Sequence, residues 1–435
     1  MSIYADLLID RIGQLCVMPT HQDGPQRGAL FGTLGLIPEA AVAVRNGRII
    51  LVGSRESVIQ AVDAGAVLDA AGRLVTPGLI DPHTHIIWAG DRAVDFEAAR
   101  GQLIDPLTSL YRTVRETRYT SFVELVEQAT TRLDRMLSHG TTTVEVKTGY
   151  GLDLHTEITL LNTLTLIDSE HPIDLVPTFL GAAAIPLEYQ NDPEEYVDLV
   201  CQRIIPAALT WRNENWTGTL FCDVVCDEGA FNRDQTERIL RAARALGLPL
   251  KLHTDARQSL GAIRLAVNLN AQTVDDLTVI TPEDVAILGK SDTAAVILPT
   301  HSFGRLNPRI PPVQALLDSG VILALGTDCN PDTGWCESMQ LVLALATRTY
   351  GLTPAQALAA CTVNAAYAVG RSDQIGSLEV GKNADIIVWE TNDYRQLGYR
   401  FGGNLVHSVV KAGQVVANAG GRLRDTNKTP LTISD

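Results

Sequence analysis

Val75-Thr76-Pro77-Gly78-Leu79-Ile80-Asp81-Pro82-His83-Thr84-His85 sets two imidazoles two residues apart at the end of an apolar run. Alternate side chains of a β-strand share a face, so the spacing predicts that His83 and His85 point the same way from a strand's carboxyl end. Two neutral imidazoles converging there make half of a site for a borderline transition metal. The blander alternative is two satisfied histidines at a strand end, an arrangement that an ordinary core seldom needs.

Two later stretches offer the other half. His253 stands in Leu250-Lys251-Leu252-His253-Thr254-Asp255, after a helical stretch that ends in Leu246-Gly247-Leu248-Pro249. Asp328 follows the apolar run Val321-Ile322-Leu323-Ala324-Leu325-Gly326-Thr327 and precedes loop-like Cys329-Asn330-Pro331-Asp332-Thr333-Gly334. A closed parallel barrel gathers such strand ends on one face, so residues distant in sequence can meet around one ion. Three imidazoles and a carboxylate suffice for a metal that keeps an open position for water. Singly, His253 could be a core histidine and Asp328 an Asx turn.

The 435-residue chain exceeds a typical barrel of about 250 residues. Residues 1–75 read as short alternating strands with turns, including Ala41-Val42-Ala43-Val44-Arg45-Asn46-Gly47-Arg48-Ile49, whose Asn-Gly is a hairpin signal. The pattern returns over 376–435, in Gly376-Ser377-Leu378-Glu379-Val380-Gly381-Lys382-Asn383-Ala384-Asp385 and in Val406 to Val416. Between them, over 76–375, apolar runs alternate with helical stretches at Phe122 to Leu137, Gln235 to Leu246, Pro312 to Ser319 and Pro354 to Cys361. The expected fold is therefore α/β, a (β/α)8 TIM barrel with a small composite β-sandwich built from both chain ends.

A net charge of −15, with no run of lysine or arginine, argues against nucleic acid or an anionic membrane as a partner and leaves a small-molecule substrate. The start Met1-Ser2-Ile3-Tyr4-Ala5-Asp6 lacks a basic segment and a cleavable apolar core, and no apolar run reaches membrane-spanning length; a cytoplasmic protein is expected. Seven cysteines form no CxxC pair, so no disulfide framework is expected, and Cys222 and Cys226 read as buried small hydrophobes.

Pro77 to His85, His253, Gly326-Thr327-Asp328 and Gly376 to Asp385 resemble the amidohydrolase superfamily. Within it the chain is most similar to the imidazolonepropionases, through Ala89-Gly90-Asp91-Arg92, Thr113 to Arg118, Gly140 to Leu152 and Thr327 to Pro331. The resemblance implies that His83, His85, His253 and Asp328 bind one zinc or iron ion, that Arg92 and Tyr150 hold the substrate, that Asn330 and Thr333 contact its product end, and that the enzyme is a homodimer. It also implies hydrolytic opening of an imidazolone propionate ring, with Asp328 accepting the proton of the attacking water and passing it to the departing nitrogen. Those roles suit the side chains: a guanidinium gives a carboxylate two parallel hydrogen bonds, and a phenol can bond a ring heteroatom from an apolar wall. Arg92 could instead pair with nearby Asp95 or Glu97. A single metal leaves Lys147 without a catalytic role.

The resemblance has gaps. Ala183, Ala256 and Asp276 stand where family members usually carry a histidine, a glutamate or glutamine, and a histidine, and Asp105 to Arg112 replaces a glycine-rich run. His301, in Leu298-Pro299-Thr300-His301-Ser302-Phe303, and Asp276 are candidate compensating groups. Two alternatives stay open: an amidohydrolase acting on another small acidic heterocycle, by hydantoin- or lactam-like ring opening or by deamination, and a catalytically impaired barrel that binds a small ligand.

Overall fold

A computed structural model describes residues 2–20, 24–98, 106–305, 309–332, 334–418 and 420–423. The chain opens with β1 (Ile3–Cys16), β2 (Leu36–Arg45), β3 (Arg48–Ser54), β4 (Val62–Asp69) and β5 (Leu74–Pro77). Eight strands follow: β6 (Leu79–Asp81), β7 (Thr141–Lys147), β8 (Asp174–Ala182), β9 (Phe221–Cys226), β10 (Lys251–Thr254), β11 (Thr273–Asp276), β12 (Ala294–Ile297) and β13 (Leu323–Leu325). The last are β14 (Ile386–Trp389), β15 (Val406–Lys411), β16 (Gln414–Asn418) and β17 (Gly421–Arg422).

Both chain ends share one sheet, in the order β17-β16-β15-β14-β5-β1-β2-β3. The Asn46-Gly47 turn joins β2 to β3, with Arg45 paired to Arg48. The long β1 forks the sheet: Ile3 to Asp10 pair with β4, Gln14 and Leu15 with β5, and Arg11 between them takes a left-handed φ of 54°. β14 then pairs antiparallel with β5, Val388 opposite Val75, which ties the late segment to the early one. The Gly376 to Asp385 motif makes a tight return beside this sheet. Gly376 has φ 88°, and a Cβ there would stand 2.6 Å from the Ala366 Cβ and 3.0 Å from the Thr362 carbonyl oxygen. Gly376→Ala is accordingly expected to cost about 2–4 kcal/mol, read by urea unfolding.

The other eight strands run parallel in sequence order from β6 to β13. The ring closes just past the regular strands, where Asp328 N donates to His83 O (3.0 Å) and His85 N to Cys329 O (2.9 Å). Closure therefore runs through the segments that carry three of the candidate ligands. Helices cover the outside. Phe122–Ser138, for example, starts at a Ser121–Glu124 capping box and buries Leu125, Val126, Ala129, Leu133, Met136 and Leu137 along one stripe. In β7, Val144 and Val146 join the apolar layer, whereas Glu145 and Lys147 share the opposite face and point into the barrel. No helix among the described residues is long and apolar enough to cross a membrane. All seven cysteines are free thiols.

Candidate functional site

At the carboxyl ends of the barrel strands, His83, His85 and Asp328 offer ligand atoms that all lie within 4.8 Å of one another. His83 is 1% exposed, and its Nδ1 lies 2.6 Å from Asp275 Oδ2. A proton on Nδ1 shared with that carboxylate leaves the Nε2 lone pair facing Asp328 Oδ1 at 3.6 Å. Neither His83 Nε2 nor His85 Nδ1 has a hydrogen-bond partner among the described residues, though both are buried atoms. Two buried imidazole nitrogens without a partner thus lie beside a carboxylate. The donor set suits a borderline divalent cation. A second cluster of similar type, His83 with Glu145 and Asp275, already holds a cation of its own, the Lys147 ammonium.

His253 stands outside the tight group. Its ring centroid is 5.6 Å from that of His83, and its Nε2 faces Asp276 Oδ2 at 3.8 Å. Asp276 is 2% exposed and also faces His301 Nε2 at 3.4 Å. The other His301 nitrogen, Nδ1, meets Asp328 Oδ2 at 2.6 Å. His301 belongs to the short helix Pro299–Gly304 that follows β12, and it links the two carboxylates. Asp328, Asp255 and Asp276 all have left-handed backbones, at φ 49°, 58° and 82°. Asp adopts this conformation more readily than most residues, and at Asp276 and Asp328 it falls on the two carboxylates that His301 links.

Burial opposes charge throughout this region. It pushes His85 down to about 3 and lowers His253, so both imidazoles stay neutral. On His83, burial and Lys147 oppose the proton, but the Asp275 and Asp328 carboxylates outweigh them and its pKa rises. Asp328 is driven the other way: despite burial, the His301 hydrogen bond holds it well below the usual carboxylate range.

A cavity of about 190 Å³ opens beside these groups, lined in part by His85, Arg92, Tyr150, His253, Asp328 and Asn330. Tyr150 is 6% exposed, its ring centroid 5.4 Å from that of His85, and burial raises its hydroxyl pKa so that it stays protonated. Its loop is built on the Glu157 carboxylate, which accepts from the Gly149, Gly151 and Leu152 amides at 3.2, 2.9 and 3.0 Å. Arg92 pairs with neither Asp95 nor Glu97. Asp95 accepts from Arg112 and Ser109 instead, while Arg92 Nε donates to Thr113 Oγ1 at 2.8 Å and Nη1 reaches Asp332 Oδ2 at 3.3 Å. Asp332 lines the cavity beside Arg92, and Asp95, in the helix Ala93–Ala98, is already satisfied by Ser109 and Arg112 of the helix Pro106–Tyr119.

Asn330 forms the Asx turn, its Oδ1 accepting from Asp332 N at 2.7 Å and its Nδ2 donating to Asp328 O at 2.8 Å. Thr333 lies outside the described residues. Ala183 and Ala256 both line the cavity. Arg257 and Arg305 also line it and were not foreseen in the sequence. The position of Arg257, four residues past His253, was the available signal for the first of them.

The amidohydrolase family profile matches residues 74–416. The chain belongs to the amidohydrolase family. It is 45% identical over 420 residues to an imidazolonepropionase from Herpetosiphon aurantiacus, covering 95% of this chain and 97% of the relative. A second imidazolonepropionase, from Chloroflexus aggregans, is 42% identical over 94% of this chain and 98% of its own length. Among solved structures, an adenosine deaminase from Xanthomonas campestris with bound zinc superposes with a TM-score of 0.71, covering 98% of this chain and 96% of that one at 21% identity. The guanine deaminase of E. coli gives a TM-score of 0.70 at 17% identity, covering 94% of this chain and 99% of that one. At those identities the likeness establishes the barrel architecture of this amidohydrolase and not its substrate.

Proposed function

We propose that the chain is a metal-dependent amidohydrolase that opens 4-imidazolone-5-propanoate to N-formimino-L-glutamate, a step of histidine degradation. The relatives named for that reaction span nearly the whole chain. The observation that carries the reading is the meeting of His83, His85 and Asp328 beside a small cavity walled by Arg92 and Tyr150. His253, whose ring centroid lies 5.6 Å from that of His83, would supply a fourth ligand. A bound zinc or iron ion would contribute a Lewis acid and a water acidified towards neutrality. Three imidazoles and a carboxylate accommodate either metal. Metal analysis of the purified protein settles which it takes.

The chain's own groups do the rest. Arg92 gives the propionate carboxylate two parallel hydrogen bonds, and the Tyr150 hydroxyl donates to a ring heteroatom. Asp328 takes the proton of the attacking water and hands it to the departing ring nitrogen. Asn330, with Thr333, contacts the opened product. His301 holds the proton-carrying Asp328 oxygen in place, and Asp276 orients His301 from its far side. His301→Gln is accordingly expected to lower kcat by ~10–100-fold with metal content and KM little changed, as read by steady-state kinetics beside metal analysis. The enzyme is further read as a cytoplasmic homodimer that acts on a small molecule without nucleic acid, which light scattering tests for its oligomeric part.

The deciding experiment incubates the purified protein with 4-imidazolone-5-propanoate and follows loss of the imidazolone absorbance, with the product identified by mass. N-formimino-L-glutamate is the expected product. Inertness towards this substrate, together with turnover of a hydantoin or lactam, would sink the assignment.

A further inference from the structure

TIM barrels usually fill their interiors with layers of branched apolar side chains. Here the layer under the candidate metal site is ionic. Glu145, Lys147, Asp223, Lys251 and Asp275 all have side chains with no solvent exposure. Lys147 Nζ lies 2.7 Å from Asp223 Oδ2, 3.1 Å from Glu145 Oε1 and 3.3 Å from Asp275 Oδ2. Lys251 Nζ lies 2.8 Å from the same Glu145 oxygen, which Thr178 Oγ1 also meets. Asp275 is the group through which this cluster touches the site, its Oδ2 facing Lys147 on one side and His83 Nδ1 on the other.

Burying ions costs several kcal/mol each, and a well-packed apolar layer of the same volume is often the more stable choice. Fold stability alone therefore gives no reason for five charges here. Three carboxylates against two ammoniums also leave one negative charge in surplus, and it sits on the path to His83.

We propose that Lys147 and Asp275 are positioning residues for the metal centre: the Lys147 ammonium pins the Asp275 carboxylate, which fixes His83 with Nδ1 as donor and Nε2 as ligand. The inference rests on the metal-site reading above. Carboxylates behind ligating histidines fix the ring orientation and raise ligand basicity, and their loss typically weakens metal affinity by ~10–100-fold. Lys251 makes the internal control, because it contacts Glu145 and not Asp275.

The test uses the full-length chain and zinc itself, titrated in competition with a chromophoric chelator. Asp275→Asn and Lys147→Met are expected to weaken zinc binding by ~10–100-fold and to shift the visible bands of the cobalt-substituted protein. Lys251→Met is expected to lower the melting temperature of the metal-free protein and to leave zinc affinity within about threefold of native. Asp275→Asn keeps the size of the side chain and carries the test alone if Lys147→Met does not fold. Native-like zinc affinity in both site variants overturns the inference, as does an equal loss of affinity in Lys251→Met. A native chain that takes up no zinc or cobalt would overturn the metal-site reading, and this inference with it.

Discussion

Asp328→Asn is expected to leave the barrel folded and to reduce kcat by ~10⁴-fold or more, the upper range for losing a general acid–base group, with a ligand lost besides. Two features of the position set that size. The carboxylate lies within 4.8 Å of both His83 and His85 ligand atoms, and its other oxygen is held by His301. The asparagine keeps the shape, the left-handed backbone that Asn tolerates, and the backbone bond to His83 O. It cannot carry a proton between water and leaving nitrogen. Circular dichroism separates folding from chemistry, and metal analysis separates ligand loss from proton transfer. Histidine variants should grade by position: His83→Ala loses most of the metal, whereas His253→Ala loses less, because its ring stands apart from the tight group and faces Asp276. Dialysis against a chelator is expected to abolish turnover, with zinc or iron restoring it. An Asp328→Asn protein that kept a tenth of native activity would refute the assigned role.

The parts of this arrangement that the sequence disclosed were those with a short-range signature. Period-two spacing anticipated that His83 and His85 would converge, although the regular strand stops at Asp81 and both stand just past it, and the buried runs before His253 and Asp328 placed each near a strand end. The hairpin at Asn46-Gly47 and the helical stretches were legible for the same reason, since turn chemistry and apolar periodicity are local. What escaped was long-range pairing of charges. Asp275 and Asp276 are adjacent acids, and only the barrel shows that Asp275 serves His83 while Asp276, on a left-handed backbone, faces His301 and His253. Lys147 had one local signal, Glu145 two residues before it on the same face of β7, but its partners Asp223 and Asp275, and the Glu145 that Lys251 meets, come from other strands. Arg92 misled by proximity: acids close in sequence were available, yet the fold gives its ion pair to Asp332.

That ion pair shapes the second large effect. Arg92 is 5% exposed, so its guanidinium is held by Thr113 and Asp332 before substrate arrives. Asp332 is 40% exposed and can turn to solvent when a propionate carboxylate takes its place. Arg92→Met removes two charge-assisted hydrogen bonds worth about 1.5–3 kcal/mol each, partly offset because Asp332 no longer competes; a loss of about 3 kcal/mol, or ~10²-fold in kcat/KM, is expected. Binding of the carboxylate is equally present in ground and transition states, so the loss should fall on KM with kcat nearly unchanged. Arg92→Lys keeps the charge but not the planar fork, and should recover only part of the loss. Asp332→Asn should act in the opposite direction, lowering KM by freeing the guanidinium. Substrate analogues lacking the carboxylate discriminate further, since they should be turned over equally poorly by native and Arg92→Met protein. If Arg92→Met instead lowers kcat alone, or penalises the truncated analogue as heavily as the full substrate, Arg92 shapes the cavity without recognising the carboxylate.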